Sequence, residues 1–272
     1  MKNISLGQYY PGNSVIHKAD PRMKLILSFV YIVSSFLCRN IISFGILLLS
    51  AICLILVSRI PFSLIMRSVR PILFILAFTV VINIFWTQGD TLLFEWKFIH
   101  VYLEGIMNAV FMIIRIFVLI IGASLFLTYT TTPIALTDAI EQLFAPLKKI
   151  KIPVHEFAMM MTIALRFIPT LIDETDKIMS AQKARGADFT NGSLVKRAKA
   201  LIPILIPLFA SSFRRADELA TAMECRCYHG GEGRTRMSVL HYRVSDFFWL
   251  FFMLAFCVLL VWINILGIGY TM

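Results

Sequence analysis

Two arginines sit between small neighbours: Arg185 in the run Ala184, Arg185, Gly186, and Arg226 in the run Cys225, Arg226, Cys227. A guanidinium presents a planar fork that pairs bidentately with a carboxylate, and small flanking residues let a partner's surface come close to it. The chemistry on offer is docking. Helix C-termini attract cations in any case, by about 0.3–1 kcal/mol. What favours docking is recurrence of the same small, arginine, small pattern at the ends of two long helical stretches.

Catalytic patterns are missing where they would be needed. A nucleotide site requires a glycine-rich loop ending in lysine and a hydroxyl residue, whereas Gly230, Gly231, Glu232, Gly233 is followed by Arg234. ATP hydrolysis, if it serves this chain, must come from another one. Cys225, Cys227, His229 and His241 invite a metal reading, but the one-residue spacing of the cysteines is atypical of structural zinc sites, and reduced thiols are the simpler account. No apolar segment carries paired carboxylates or a serine and histidine set. The chain is therefore read as a non-catalytic protein that binds no cofactor or metal of its own.

The elements that must position the two arginines follow from composition. The chain has 272 residues, 58% of them hydrophobic and 15% charged, with 23 Phe, a balance suited to lipid as solvent. The net charge of +10 does not imply nucleic acid, because Lys and Arg lie in blocks between apolar runs instead of forming one stripe. Cys38, Cys53 and Cys257 fall inside apolar runs, where a thiol behaves as a small hydrophobe. The polar stretch from Met1 to Asp20 lacks the apolar core of a signal peptide.

A span needs about 20 apolar residues, and the candidates are Leu25 to Cys38, Ile41 to Ser58, Pro71 to Trp86, Ile106 to Thr128 and Phe247 to Leu266. Arg39 and Asn40 separate the first two, which reads as a tight hairpin. With the N-terminus inside, the short inner flanks Met1 to Lys24 and Arg59 to Arg70 hold seven Lys and Arg, against Arg39 and Lys97 outside. That asymmetry places the N-terminus in the cytosol and the C-terminus outside. Trp86, Trp96, Trp249 and Trp262 then lie near span ends. Arg115 is the one strong charge within a span; it either snorkels or pairs with a neighbour such as Glu104.

The domain expectation is a cytosolic segment over 1–24, four spans within 25–128, a cytosolic domain over 129–245, and a last span with its tail over 246–272. The cytosolic domain reads as three helices. The first runs roughly from Ile134 to Phe144 and stops before Pro146 and the basic Lys148, Lys149 and Lys151, which suit an anionic leaflet. The second begins at Pro153, passes a bend near Pro169 and ends by Gly186. The third starts near Ser193 and reaches Arg226 or Tyr228. The two long helices have apolar first halves and charged second halves, Asp173 to Arg185 and Arg214 to Arg226, so they resemble levers.

Further motifs complete the pattern: Gly7, Gln8, Tyr9 with Pro11; Ile16, His17, Asp20, Pro21, Arg22; Thr132, Pro133; Leu165 to Pro169; and Ala181 to Asp188. Taken together they resemble the transmembrane T component of energy-coupling factor transporters, the EcfT and CbiQ family. The resemblance implies an all-α membrane protein of about five spans plus a coupling domain of about three helices. It implies a role as scaffold of an importer for vitamins or other micronutrients in a prokaryotic cell membrane.

In such a complex two ATP-binding-cassette ATPases use ATP and magnesium, and a substrate-binding membrane partner, the S component, carries the cargo. Ala184, Arg185 and Gly186 match the family's docking motif in full, whereas Cys225, Arg226 and Cys227 keep only the arginine. Cys227 adopts a left-handed conformation less cheaply than glycine, so the third helix is expected to continue to Tyr228 and stop at Gly230 and Gly231. On the apolar halves, Met160, Ala164, Phe167, Leu201, Leu205 and Leu208 are the expected contacts for the S component. A secondary transporter working without ATPases is the rival reading; Asn83, Asn108 and Arg115 are few polar sites for it, and it leaves the levers unexplained.

Overall fold

The computed structural model describes residues 9–87, 91–96, 99–187, 189, 193–231 and 240–266. Gly7, Gln8 and Asp188, which belong to the motifs above, lie outside them, as do Glu232, Gly233 and Arg234. The chain divides into two compact units, one holding Gly7–Ala139 with Leu240–Met272 and the other holding Ile140–Val239.

In the first unit, α1 (Val15–Lys18) leads to α2 (Pro21–Leu37), which Asp20 caps by accepting the Arg22 amide, with Pro21 in the first helical position. After three residues the chain re-enters helix as α3 (Ile41–Ser58). A turn this tight leaves backbone groups exposed to apolar surroundings, and these need partners. Asn264 of α10 (Val244–Ile265) supplies several: its carboxamide donates to the Leu37 carbonyl and accepts from the Arg39 amide at 3.3 Å and the Ser43 hydroxyl at 2.9 Å. Arg115 supplies another, donating to the Cys38 carbonyl at 3.0 Å with its guanidinium 5.3 Å from the Phe44 ring centroid. Glu104, the neighbour suggested by sequence, instead accepts from the Thr91 amide and hydroxyl. The intramembrane charge is thus a cap on a hairpin.

The third span begins earlier than expected. Helix α4 (Phe62–Val69) passes through a 3-10 turn at Arg70–Ile72 into α5 (Leu73–Trp86), giving one apolar stretch of 25 residues. Arg59 to Arg70, read from sequence as a flank, is therefore mostly helix. Helix α5 has no buried residue, and Phe74 and Trp86 are 81% and 84% exposed, an arrangement that lipid makes favourable. A short antiparallel hairpin, β1 (Leu92–Trp96) and β2 (Ile99–Tyr102), joins it to α6 (Leu103–Ala123) and adds the one pair of strands among the described residues. Helix α6 continues as a π-helical turn over Ser124–Tyr129.

The core of this unit gathers Tyr31, Phe44, Leu47, Phe111, Val118, Ile121 and Leu125, with Phe44 stacked on Phe111 at 4.8 Å. Gly122 is required where it stands, because a Cβ there would collide with the Tyr31 ring. By length and composition, five helical stretches among the described residues are apolar enough to cross a membrane. One of them is α8 (Val154–Ala184), whose mean hydropathy of 1.2 stands well below the 2.1–2.8 of the other four. Helix α2, with 17 residues, falls just short on length, yet it packs against α6 and α10 inside the bundle. Counting α2 as a span and α8 as a lever keeps Glu156 and Arg166 out of hydrocarbon.

The second unit begins in α7 (Pro133–Leu143) and a 3-10 turn at Ala145–Ile150, followed by α8 and α9 (Leu194–Cys225). Pro153 and Ser193 precede the two long helices, and the Ser193 hydroxyl accepts the Lys196 amide at 3.4 Å. Pro169, Pro203 and Pro207 stay within helix, each removing one backbone donor.

Candidate coupling site

Each long helix ends in the same hydrogen-bonded turn. At the end of α8, the Gly186 amide donates to the Lys183 carbonyl at 3.0 Å and the Ala187 amide to the Gln182 carbonyl at 3.0 Å, with Gly186 at φ +88°. At the end of α9, the Cys227 amide donates to the Glu224 carbonyl at 2.9 Å and the Tyr228 amide to the Met223 carbonyl at 3.0 Å, with Cys227 at φ 56°. Both are Schellman turns, which satisfy the last carbonyls by placing one residue in the left-handed region.

Of the two ends read from sequence, Arg226 and Tyr228, the structure gives the earlier: the helix stops at Cys225 with Arg226 as its cap, and the continuation to Tyr228 is corrected because Cys227 takes the glycine position. The side-chain penalty, about 1–2 kcal/mol, is outweighed by the two carbonyls the turn satisfies. In consequence Arg185 and Arg226 occupy identical places, each the last residue before the left-handed one. Both are exposed, as are Ala184, Gly186, Cys225 and Cys227.

The path of the two helices decides where those arginines point. His155, in the first turn of α8, packs against Gly231 just beyond α9; a Cβ on Gly231 would run into the imidazole ring, whose Nδ1 lies 2.9 Å from Glu141 Oε1. Further along α8, Glu174 accepts a 2.7 Å charged hydrogen bond from Arg215 of α9. Moving forward on α8 thus means moving backward on α9, so the pair is antiparallel. Arg185 lies eleven residues past Glu174 and Arg226 eleven past Arg215. The two arms are equal and run in opposite directions, which sets the arginines about 33 Å apart along the helix axes at 1.5 Å per residue.

Glu174 is the pivot of this arrangement. Its carboxyl is held below the ordinary glutamate value by a hydrogen bond from Ser211, which desolvation opposes and the nearby Arg215 and Arg214 reinforce. Arg215 also reaches back to the Ser211 hydroxyl at 3.5 Å. The sequence shows the charged halves but not this contact, because an ion pair between residues 41 apart leaves no periodic trace.

The apolar halves are largely open. Met160, Ala164, Leu201 and Leu205 are exposed, and Phe167 and Leu208 are half-buried. Around them Phe157, Ile202, Ile206, Phe209 and Phe213 also face outward, while Ile204 is buried. Exposed apolar patches of this kind, one on each arm, mark interaction surfaces.

A second set of residues, quoted above for its pattern alone, turns out to be a buried knot in the other unit. Arg22 binds the Asp20 carboxylate through two nitrogens, donates to the Leu240 carbonyl at 2.9 Å, and stacks its guanidinium 3.7 Å from the Tyr242 ring centroid. Lys24 donates to the carbonyls of His17 and Thr130 at 3.2 and 2.8 Å, and His17 links Ser14 to the Tyr10 carbonyl. These side chains tie the N-terminal segment to the starts of α2 and α10.

Residues 12–239 match the CbiQ family, described as cobalt transport protein. The energy-coupling factor transporter transmembrane protein EcfT of Ruminiclostridium cellulolyticum is 58% identical over 246 residues, which cover 90% of this chain and 91% of its own length. The corresponding protein of Clostridium kluyveri is 55% identical over 91% of this chain and 92% of its length, and that of Bacillus subtilis 48% identical over 90% and 92%.

Proposed function

The chain belongs to the CbiQ family, and from that premise we propose that it is the coupling subunit of an energy-coupling factor importer, joining two ATPases to a substrate-binding membrane protein. It is a multi-pass membrane protein, with its N-terminus and its lever helices in the cytosol and its C-terminus outside. The observation that carries this reading is the pair of exposed arginines, each on a Schellman turn, at equal distances from one ion pair on antiparallel helices. Two separated, equivalent tips suit two ATPase subunits lying side by side.

In this mechanism Arg185 and Arg226 each pair with a carboxylate in a groove of one ATPase. ATP and magnesium, bound by those subunits, draw them together, and the tips follow. Because Glu174 and Arg215 hold the helices at one point, a displacement at the tips is carried to the apolar halves, where Met160, Ala164, Phe167, Leu201, Leu205 and Leu208 contact the membrane partner. That partner then reorients and releases its ligand. Cargo is selected by the partner, so the family's description does not assign cobalt to this chain.

Pull-down of the chain in detergent from its native membrane, with identification of its companions, tests the proposal. Two ATP-hydrolysing chains and a small membrane protein are expected. Uptake by the purified chain alone, without ATPases, would establish the permease reading instead.

A further inference from the structure

Two cavities beside the buried knot share a wall. The first, about 180 Å³, has a mixed lining, with Asn13, Lys18, Arg243, Ser245 and Asp246 beside Val15, Ala19 and Trp249. The second, about 40 Å³, exposes almost wholly apolar surface; Ala19 and Trp249 line it as well, with Ile16, Lys24, Leu27, Leu54, Phe126 and Met253. Both lie within one compact unit. A cavity bearing charged side chains beside an apolar one offers an amphiphile a partner for each of its parts.

The sign of the charge comes from the residues. Asp246 is buried and its carboxylate is already engaged, accepting the Arg243 amide at 2.9 Å and the Asp20 amide at 3.4 Å. Asp20 is held by Arg22. Around these two carboxylates stand four cations, Arg22, Lys24, Lys18 and Arg243, of which the last two are exposed at the cavity. The surplus is positive, and it faces the first cavity.

Location supplies the rest. The Asp20–Asp246 contact joins the starts of α2 and α10, so the site lies at a membrane boundary, where a tryptophan such as Trp249 is favoured. Val15, which lines the charged cavity, is apolar and exposed. A soluble anion has no use for Val15, Trp249 or the adjoining apolar cavity, whereas an acyl chain gains from contact with them.

We propose that this composite groove binds one anionic phospholipid, with its phosphate between Lys18 and Arg243 and an acyl chain running past Trp249 toward Met253. A lipid seated there would brace α1 against α10 next to the knot that orders the N-terminal segment. The inference rests on the membrane placement of the chain and not on its coupling role, so its failure would leave ATPase docking untouched.

The test uses the full-length chain, delipidated in mild detergent, with bound lipid counted by native mass spectrometry. Phosphatidylglycerol is expected to bind at one molecule per chain in preference to phosphatidylcholine, and to bind about thirtyfold more weakly to Lys18→Gln/Arg243→Gln. Inorganic phosphate should not displace it. Because both side chains are exposed, the variant should melt with the wild type; Lys18→Glu alone provides a second comparison and should weaken binding further than Lys18→Gln. Equal retention of the two lipids, unchanged binding in the variants, or displacement by phosphate would overturn the proposal.

Discussion

The tips of α8 and α9 share one backbone geometry but differ in the residue that takes the left-handed position, Gly186 in one and Cys227 in the other. Glycine adopts φ +88° without cost, whereas cysteine at φ 56° bears a steric penalty. The comparison teaches that the placement of the arginine is the invariant, and that the hydrogen bonds of the turn suffice to impose it on a side chain that resists. It also makes the α9 tip the more strained and the more readily frayed of the two.

The largest expected effect is loss of both guanidinium groups. Arg185→Ala with Arg226→Ala should abolish co-purification of the ATPases, since losing one member of a docked charge pair costs about 2–5 kcal/mol at each end. The single variants should weaken docking to a similar degree; if one is silent, the tips are not equivalent. Leu205→Asp, placed on the apolar half, should release the membrane partner while the ATPases stay bound. Loss of both partners together would indicate misfolding.

A smaller effect is expected where the two tips differ. Gly186→Val forces a β-branched residue into the left-handed region, and should weaken docking about tenfold through about 1–2 kcal/mol of strain. Cys227→Gly should do the reverse, stabilising its turn by up to about 1 kcal/mol and slowing amide exchange at Cys227 and Tyr228. Faster exchange in that variant would show that the cysteine side chain contributes packing that the turn needs.

The smallest effect concerns the pivot shared by both arms. The Glu174 carboxyl lies below its ordinary value of 4.5, so its contribution is complete above that pH and is lost as the pH falls through the lower folded value. Glu174→Gln should therefore melt slightly below wild type at neutral pH and together with it in acid. A difference that persists in acid would assign the effect to packing and not to charge.

Much of the fold was legible in the sequence where a local signal was strong. Ile41–Ser58 was bounded to the residue because Asn40 and Arg59 flank a run without charges, and α8 was framed by Pro153 and Gly186. The start of the third span was missed because Arg67 and Arg70 resemble a loop flank, although α4 is strongly amphipathic and carries Arg67, with Arg70 following in the 3-10 turn. For Arg115 the sequence suggested snorkelling or a carboxylate neighbour; the structure gives it a backbone carbonyl, a partner that every residue possesses and that no pattern reveals.

What the sequence determined by itself was the membrane character of the chain, the approximate ends of the long helices and the place of Arg185 and Arg226 at those ends, all of which follow from residue type and spacing along the chain. The tertiary structure decided that α8 and α9 run antiparallel about the Glu174–Arg215 pair and that Cys227 closes a glycine's turn. It also set Lys18 and Arg243 at one cavity. These depend on contacts between residues far apart in sequence, or on the balance of hydrogen bonds against steric strain, and neither is written in any local stretch of residues.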